Sequence, residues 1–140
     1  MESLRVRQYM IAQPIVFHPH QPLAQVAKEL VEKEQIGAPV CDEHHHVVGW
    51  ISEQDCLGKM LEDTYYRESI TLIDDVMRTD VLSIDPEMSI FELAQMVLGP
   101  KPKMYPVVEE GRLIGIITRR EILRAINHQL EACFQKGVRG

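Results

Sequence analysis

The chain has 140 residues, of which 45% are hydrophobic and 26% charged, with a formal net charge of −6 and a pI of about 5.5. An acidic chain lacks the basic surface that binds nucleic acids or anionic membranes, so we expect neither as a partner. The apolar run at residues 113–117 is too short to span a bilayer. Three cysteines without a Cys-x-x-Cys pair predict a reduced, cytoplasmic protein.

The first half of the chain predicts a strand, a helix, a hairpin and a second helix. A short apolar strand is expected at residues 15–17, and a helix follows whose buried stripe comprises Leu23, Val26, Ala27, Leu30 and Val31. Residues 38–41 and 47–52 are expected to form strands on either side of a polar turn, which predicts a hairpin. Ser52 then caps a helix whose apolar side comprises Cys56, Leu57, Met60 and Leu61.

The second half predicts the same order of elements. A strand is expected at residues 81–84, and Ser89 with Glu92 forms a capping box before a helix that ends at Gly99-Pro100. Residues 104–108 and 113–118 predict the second hairpin. Thr118 caps the last helix, whose apolar stripe is expected to comprise Ile122, Leu123, Ile126, Leu130 and Phe134.

The two halves are copies of one unit. Met10 recurs as Met77 and Pro39 as Pro106, at a constant spacing. A repeat this long indicates a duplicated folding unit rather than a solenoid. We therefore predict a first unit over residues 1–61, a linker over 62–71, a second unit over 72–135 and a tail over 136–140.

The repeat contains a motif at the point where a strand meets a helix. Residues 49–55 read GWISEQD, and residues 115–121 read GIITRRE. A hydroxyl followed by a carboxylate three residues later is a capping box, which stabilises a helix by about 1 kcal/mol without any ligand. The first turn of a helix also offers free N–H groups and a positive dipole end, which suit a phosphate.

The duplicated motif resembles that of the CBS domain, and the tandem arrangement resembles the CBS pair called a Bateman module. The resemblance covers residues 6–123 and includes the repeated methionine and the Pro-Val pairs at 39–40 and 106–107. It implies an α/β (α+β) fold of two pseudo-twofold-related β-α-β-β-α CBS units, each with a small mixed sheet and two helices. It also implies a stand-alone regulatory, energy-sensing module, which forms a homodimer and signals to an unknown regulated protein by conformational change. The implied regulatory ligand is AMP, ADP, ATP or S-adenosylmethionine, bound in clefts between the units.

The resemblance also implies two sets of ligand-binding residues, with a carboxylate that accepts from the ribose hydroxyls. The set around the first motif comprises Ile15, Val16, Gly37, Ala38, Ser52 and Asp55. The set around the second motif comprises Ser83, Lys103, Met104, Tyr105, Thr118, Arg119, Arg120 and Glu121. Tyr105 is expected either to stack on a base or to fill the core.

The two motifs differ in charge. The cations near Thr118 predict that the second site prefers phosphorylated ligands, because arginine binds phosphate bidentately. Glu121 departs from the family's aspartate, and its longer side chain moves the carboxylate. Glu53 lies beside Ser52, where a second carboxylate disfavours a chain of phosphates.

Two alternatives compete with an adenosine site. In the first, both motifs only cap helices, and the chain is a ligand-free homodimeric assembly module. In the second, Cys41 and the run at residues 44–46 form a metal or redox sensor, although a solvated hairpin tip explains three adjacent histidines more simply. We expect no bound metal, no cofactor beyond the regulatory ligand and no catalytic residue. The sequence contains no Gly-x-Ser-x-Gly motif, no phosphate-binding glycine-rich loop and no His-Glu-x-x-His motif.

Overall fold

The secondary structure repeats the order helix, hairpin, helix. The computed structural model describes residues 4–66 and 70–139, without the side chains of residues 64–66 and 135–139. In chain order, its elements are α1 (Val6–Tyr9), β1 (Ile11–Ala12), α2 (Leu23–Glu32), β2 (Gly37–Cys41), β3 (Val47–Ser52), α3 (Glu53–Tyr66), a 3-10 turn (Ile73–Asp75), α4 (Ile90–Met96), β4 (Met104–Glu109), β5 (Arg112–Thr118) and α5 (Arg119–Arg139). The α+β fold class is therefore confirmed.

The chain forms two compact units that do not follow the sequence in order. One unit comprises Pro14–Leu82 with Glu110–Leu113, and the other comprises Met1–Gln13, Ser83–Glu109 and Ile114–Gly140. The predicted ranges 1–61 and 72–135 follow the sequence repeat, whereas the beginning of the chain belongs to the unit that contains most of the second repeat.

The two predicted hairpins are confirmed. Strand β2 pairs with β3, and β4 lies beside β5 in a sheet of order β1-β5-β4. Strand β1, which the sequence did not predict, pairs antiparallel with β5. It has only two residues, both exposed, so it shows no periodic pattern that a sequence analysis could detect.

The first strand of each repeat is shorter than predicted. Only Phe17 and Ile84 pair, through parallel bridges to Val40 and Val107, so the strands predicted at residues 15–17 and 81–84 are wrong in extent. Phe17 N donates to Pro39 O, and Cys41 N donates back to Phe17 O. The next bond of a parallel ladder needs an N–H from Pro39, which proline lacks, so pairing stops there. Pro106 stands in the same place in the other repeat.

Each recurring methionine lies against a glycine of a strand, so the methionines and the strand glycines recur together. A Cβ on Gly115 would lie 2.7 Å from Ile11 O and 2.9 Å from Met10 Sδ. A Cβ on Gly49 would lie 2.6 Å from Met77 Sδ and 2.8 Å from the carbonyl oxygen of the residue that follows Met77. The segment that follows each methionine crosses the centre of a strand so closely that only glycine fits.

Each unit has its own cluster of buried apolar side chains. One cluster comprises Phe17, Leu23, Val26, Leu30, Ala38, Val40, Ile51, Cys56 and Ile73. The other comprises Val6, Ile84, Ile90, Leu93, Val97, Tyr105, Val107, Ile117, Ile122 and Ala125. Leu23, Val26 and Leu30 of the predicted α2 stripe are therefore confirmed as buried.

Several predicted core positions are wrong. Val31 of α2 is 76% exposed, and the other exposed members of the predicted stripes lie on α3 and α5: Leu57, Met60, Leu61, Leu123, Leu130 and Phe134. A helix that packs on one core buries only its inner face, and here that face holds Cys56 on α3 and Ile122 with Ala125 on α5. The outer row of apolar residues remains open on both helices.

The predicted linker is partly helical. Helix α3 continues to Tyr66, because residues 58–66 contain no proline and Lys59 pairs with Glu62 and Asp63 at helical spacing. Residues 67–69 of that linker lie outside the described residues, and α5 extends to Arg139 through most of the predicted tail. None of the helices in the described part of the chain is long and apolar enough to cross a membrane.

Candidate functional site

The first motif forms a closed pair of side chains where β3 meets α3, which we call the Ser52 corner (Ser52, Asp55 and their contacts). Ser52 Oγ donates to Asp55 Oδ2 at 2.8 Å, and Ser52 N donates to the same oxygen at 3.3 Å. Asp55 N donates back to Ser52 Oγ at 3.1 Å. Both hydrogen bonds to the carboxylate use Oδ2, so the other carboxylate oxygen of Asp55 is left for a further donor.

The second motif pairs a hydroxyl with a carboxylate in a similar way where β5 meets α5, which we call the Thr118 corner (Thr118, Glu121 and their contacts). Thr118 N donates to Glu121 Oε1 at 2.9 Å, and the Thr118 hydroxyl donates to the same oxygen. Glu121 is only 4% exposed. The longer side chain therefore folds back onto the cap, and its carboxylate is more deeply buried than that of Asp55, whose side chain is 17% exposed.

Each corner is joined to the start of the neighbouring strand. Glu53 N donates to Ile36 O at 2.9 Å, and Arg119 N donates to Lys103 O at 3.1 Å. The predicted residues Gly37 and Ala38 follow directly at the start of β2, and Met104 and Tyr105 at the start of β4. The structure therefore brings these predicted residues next to their motifs.

Arg119 is engaged by the loop before β4. Its guanidinium donates to Gly99 O at 3.1 Å and to Lys101 O at 2.9 Å. In this arrangement the arginine stabilises a loop rather than extending toward an open site. Lys103 and Arg120 are also exposed, so they are accessible cations near the Thr118 corner.

Tyr105 is placed in the core. It is 3% exposed and packs in the same cluster as Val107 and Ile117. Burial raises the pKa of its hydroxyl, and the positive charge of Arg119 partly opposes that rise. Of the two predicted roles for Tyr105, the structure supports the filling of the core.

The remaining predicted residues lie at the first strand of each repeat. Ile15 and Val16 are half-buried before the bridge at Phe17, and Ser83 is exposed before the bridge at Ile84. Within the described ranges, Ser83 makes no side-chain hydrogen bond to the Thr118 corner.

One residue of the Ser52 corner was not predicted. Arg78 Nε lies 3.6 Å from Asp55 Oδ2, and Arg78 pairs with Trp50 through two backbone hydrogen bonds of 2.9 Å. The only indication in the sequence is that Arg78 follows Met77, the recurring methionine. A pairing between segments this far apart leaves no periodic pattern, so sequence analysis missed it.

The histidine run lies at the tip of the β2–β3 hairpin. His44 and His46 have ring centroids 6.0 Å apart, and Asp42 accepts backbone hydrogen bonds from both. Across residues 4–66 and 70–139, no three metal-ligating side chains cluster. Burial raises the pKa of the Cys41 thiol to about 11, which keeps it protonated at neutral pH and disfavours reactive redox chemistry.

Comparisons with known proteins show the family to which the chain belongs. The family model of the CBS domain matches residues 6–62 and 73–128. The chain therefore belongs to the CBS domain family, and its two matched segments make it a tandem CBS pair, or Bateman module.

Three relatives illustrate the similarity. The chain is 31% identical over 129 residues, 92% of its length, to the A-adding tRNA nucleotidyltransferase of Aquifex aeolicus. It is 26% identical over 86% of its length to the uncharacterized protein MJ1225 of Methanocaldococcus jannaschii. It spans only 15% and 42% of the lengths of these two proteins. The crystal structure of CBSX2 in complex with AMP has a TM-score of 0.78 and 28% identity, with 89% of this chain and 96% of that chain covered.

Proposed function

We propose that this chain is a regulatory module that binds an adenosine-containing ligand at its two corners, with AMP the first ligand to test and S-adenosylmethionine the second. The observation that carries the proposal is the duplication of the corner. Two motifs of different sequence, at Ser52 and at Thr118, build the same pairing of hydroxyl and carboxylate. The similarity to CBSX2, which was crystallised with AMP, supports the same ligand class.

The chemistry of the Ser52 corner suits a ribose. A carboxylate oxygen accepts hydrogen bonds from vicinal hydroxyls, and such charge-assisted bonds are stronger than neutral ones. Asp55 accepts from Ser52 through Oδ2 alone, so its Oδ1 provides the acceptor. Ser52 holds the carboxylate in one orientation before a ligand arrives, which reduces the ordering cost of binding.

The regulatory part of the proposal requires a partner that reads the ligand state. A ligand shifts a conformational equilibrium only by its difference in affinity for the two states. The proposed module is non-catalytic and acts as a homodimer. The outer apolar rows of α3 and α5 support the dimer, since Leu61 is 64% exposed and Leu123 is 69% exposed.

A second candidate function is a ligand-free assembly module. The observation in its favour is that both carboxylates already accept from the hydroxyl and the backbone of their own caps. In that case the corners would stabilise α3 and α5 only, and the outer apolar rows would carry the function.

Thermal unfolding with and without AMP separates the two candidates. At about 100 times its Kd, a ligand stabilises the folded state by about 2.7 kcal/mol. We expect AMP to raise the Tm of the wild type, and Ser52→Ala with Thr118→Ala to reduce that rise. Ser89→Ala is the matched control, because Ser89 Oγ caps α4 by accepting from Glu92 N outside either corner. It should lower the Tm but retain the AMP response.

A wild type that responds to neither AMP nor S-adenosylmethionine would contradict adenosine binding and favour the assembly module. Sedimentation of Leu61→Glu tests the dimer separately. A charge in a buried apolar interface is costly, so we expect a monomer. An unchanged dimer would show that this row of α3 is not the interface.

A further inference from the structure

Arg78 has a fixed place at the Ser52 corner. Its backbone exchanges two hydrogen bonds with Trp50, and its Nε lies 3.6 Å from Asp55 Oδ2. The Arg78 side chain is 60% exposed, whereas that of Asp55 is 17% exposed. The cation therefore stands at the outer edge of the carboxylate, where an incoming ligand would meet both.

The guanidinium retains most of its binding capacity. It approaches Asp55 through Nε, which leaves both terminal NH₂ groups, the planar fork that fits phosphate oxygens. Within residues 4–66 and 70–139, Arg78 has no other ion pair and no side-chain hydrogen bond. Arg119 differs, because its guanidinium already donates to two loop carbonyls.

The Thr118 corner has no cation in the equivalent place. There, Ile11 pairs with Ile116, as Arg78 pairs with Trp50. Both segments follow the recurring methionine, so Ile11 is the counterpart of Arg78. The repeat has thus placed an apolar side chain at one corner and an arginine at the other.

We propose that Arg78 makes the Ser52 corner selective for a nucleoside phosphate over a neutral nucleoside, a selectivity that rests on the adenosine binding proposed above. The terminal NH₂ groups of Arg78 bind the phosphate, and the Asp55 carboxylate accepts from the ribose hydroxyls. Glu53, exposed in the first turn of α3, is the opposing charge nearby in sequence. The Arg78 cation offsets it.

The test is calorimetric titration of the full chain with AMP and with adenosine, which has the same ribose and base without the phosphate. We expect Arg78→Gln to weaken AMP binding by about 10- to 100-fold, the usual range for a lost charge-assisted contact, and to leave adenosine binding nearly unchanged. Arg78→Lys retains the charge and should recover part of the AMP affinity. Arg112→Gln, which removes another exposed arginine of the same compact unit, should change neither.

The outcomes separate the two proposals. Equal weakening of AMP and adenosine in Arg78→Gln would overturn the inference, because Arg78 would then only position Asp55. Unchanged affinity for both AMP and adenosine in Arg78→Gln would overturn it too, while the proposed function would stand. A wild type that binds neither ligand would overturn the proposed function and the inference together. Circular dichroism of each variant verifies that a loss of binding is not a loss of folding.

Discussion

The Ser52 and Thr118 corners share a backbone and differ in charge. Both place a hydroxyl and a carboxylate at a strand–helix junction, and both attach that junction to the neighbouring strand. Asp55 is paired with the exposed Arg78, whereas the carboxylate of Glu121 is almost fully buried. Duplication has therefore preserved the local geometry, while the charge and the burial of the two carboxylates have diverged.

We expect the largest effect from substitution of the strand glycine near each corner. This substitution tests whether the two corners share the same close backbone packing. Gly115→Ala would place a Cβ 2.7 Å from Ile11 O, and Gly49→Ala would place one 2.8 Å from Arg78 O. We expect each to lower the free energy of unfolding by about 2–3 kcal/mol, as overpacking against backbone does. Urea unfolding measures both.

Gly58 is the matched control for the glycine substitutions. It lies within α3, and a Cβ added there would have no neighbouring atom within 4 Å. Gly58→Ala should raise stability by about 0.5–1 kcal/mol, because alanine is the better helix former. If Gly49→Ala were as harmless as Gly58→Ala, the close packing would be unique to the Thr118 corner.

The next effect distinguishes the two carboxylates by their burial. Glu121→Ala leaves the Thr118 hydroxyl and N–H without their partner in a partly buried setting, which should cost about 2 kcal/mol. Asp55→Ala removes a less buried group and should cost about 1 kcal/mol. Chemical denaturation of both variants gives the difference. Equal losses would show that burial does not separate the corners.

The smallest effect concerns the arginine of the Thr118 corner. Arg119→Gln removes the donors to Gly99 O and Lys101 O. We expect a global loss of about 0.5–1 kcal/mol, the usual value of one or two exposed hydrogen bonds, with faster amide exchange confined to residues 99–103. Arg120→Gln, also exposed, is the control. Exchange that stays slow in Arg119→Gln would show that the loop does not depend on this arginine.

The sequence was sufficient to predict the elements whose patterns are local. The hairpins, the capped starts of α3 and α5, and the paired hydroxyl and carboxylate follow from turn residues and short spacings. The predicted preference of the Thr118 corner for phosphate relied on several nearby cations, and the structure shows that one of them, Arg119, donates to loop carbonyls. Such a contact depends on where a loop folds back, which spacing along the chain does not encode.

The sequence also does not indicate which apolar residues of the long helices α3 and α5 are buried. An apolar row such as Leu57 and Leu61 has the same period whether it faces a core, another subunit or water. The pairings of Arg78 with Trp50 and of Ile11 with Ile116 were missed for a different reason: they join segments that are distant along the chain.

The placement of β1 beside β5 has a consequence for the order of folding. The unit of Pro14–Leu82 is nearly continuous in sequence, and its Trp50–Arg78 pairing closes a short loop. In the other unit, β1 pairs with β5, so Ile11 reaches Ile116 only after the whole segment Pro14–Leu82 between them has been synthesised. Contacts between distant segments form more slowly because they carry a larger loop-closure entropy. On the ribosome, the Pro14–Leu82 unit would therefore assemble its core first, while β1 waits for its partner strand.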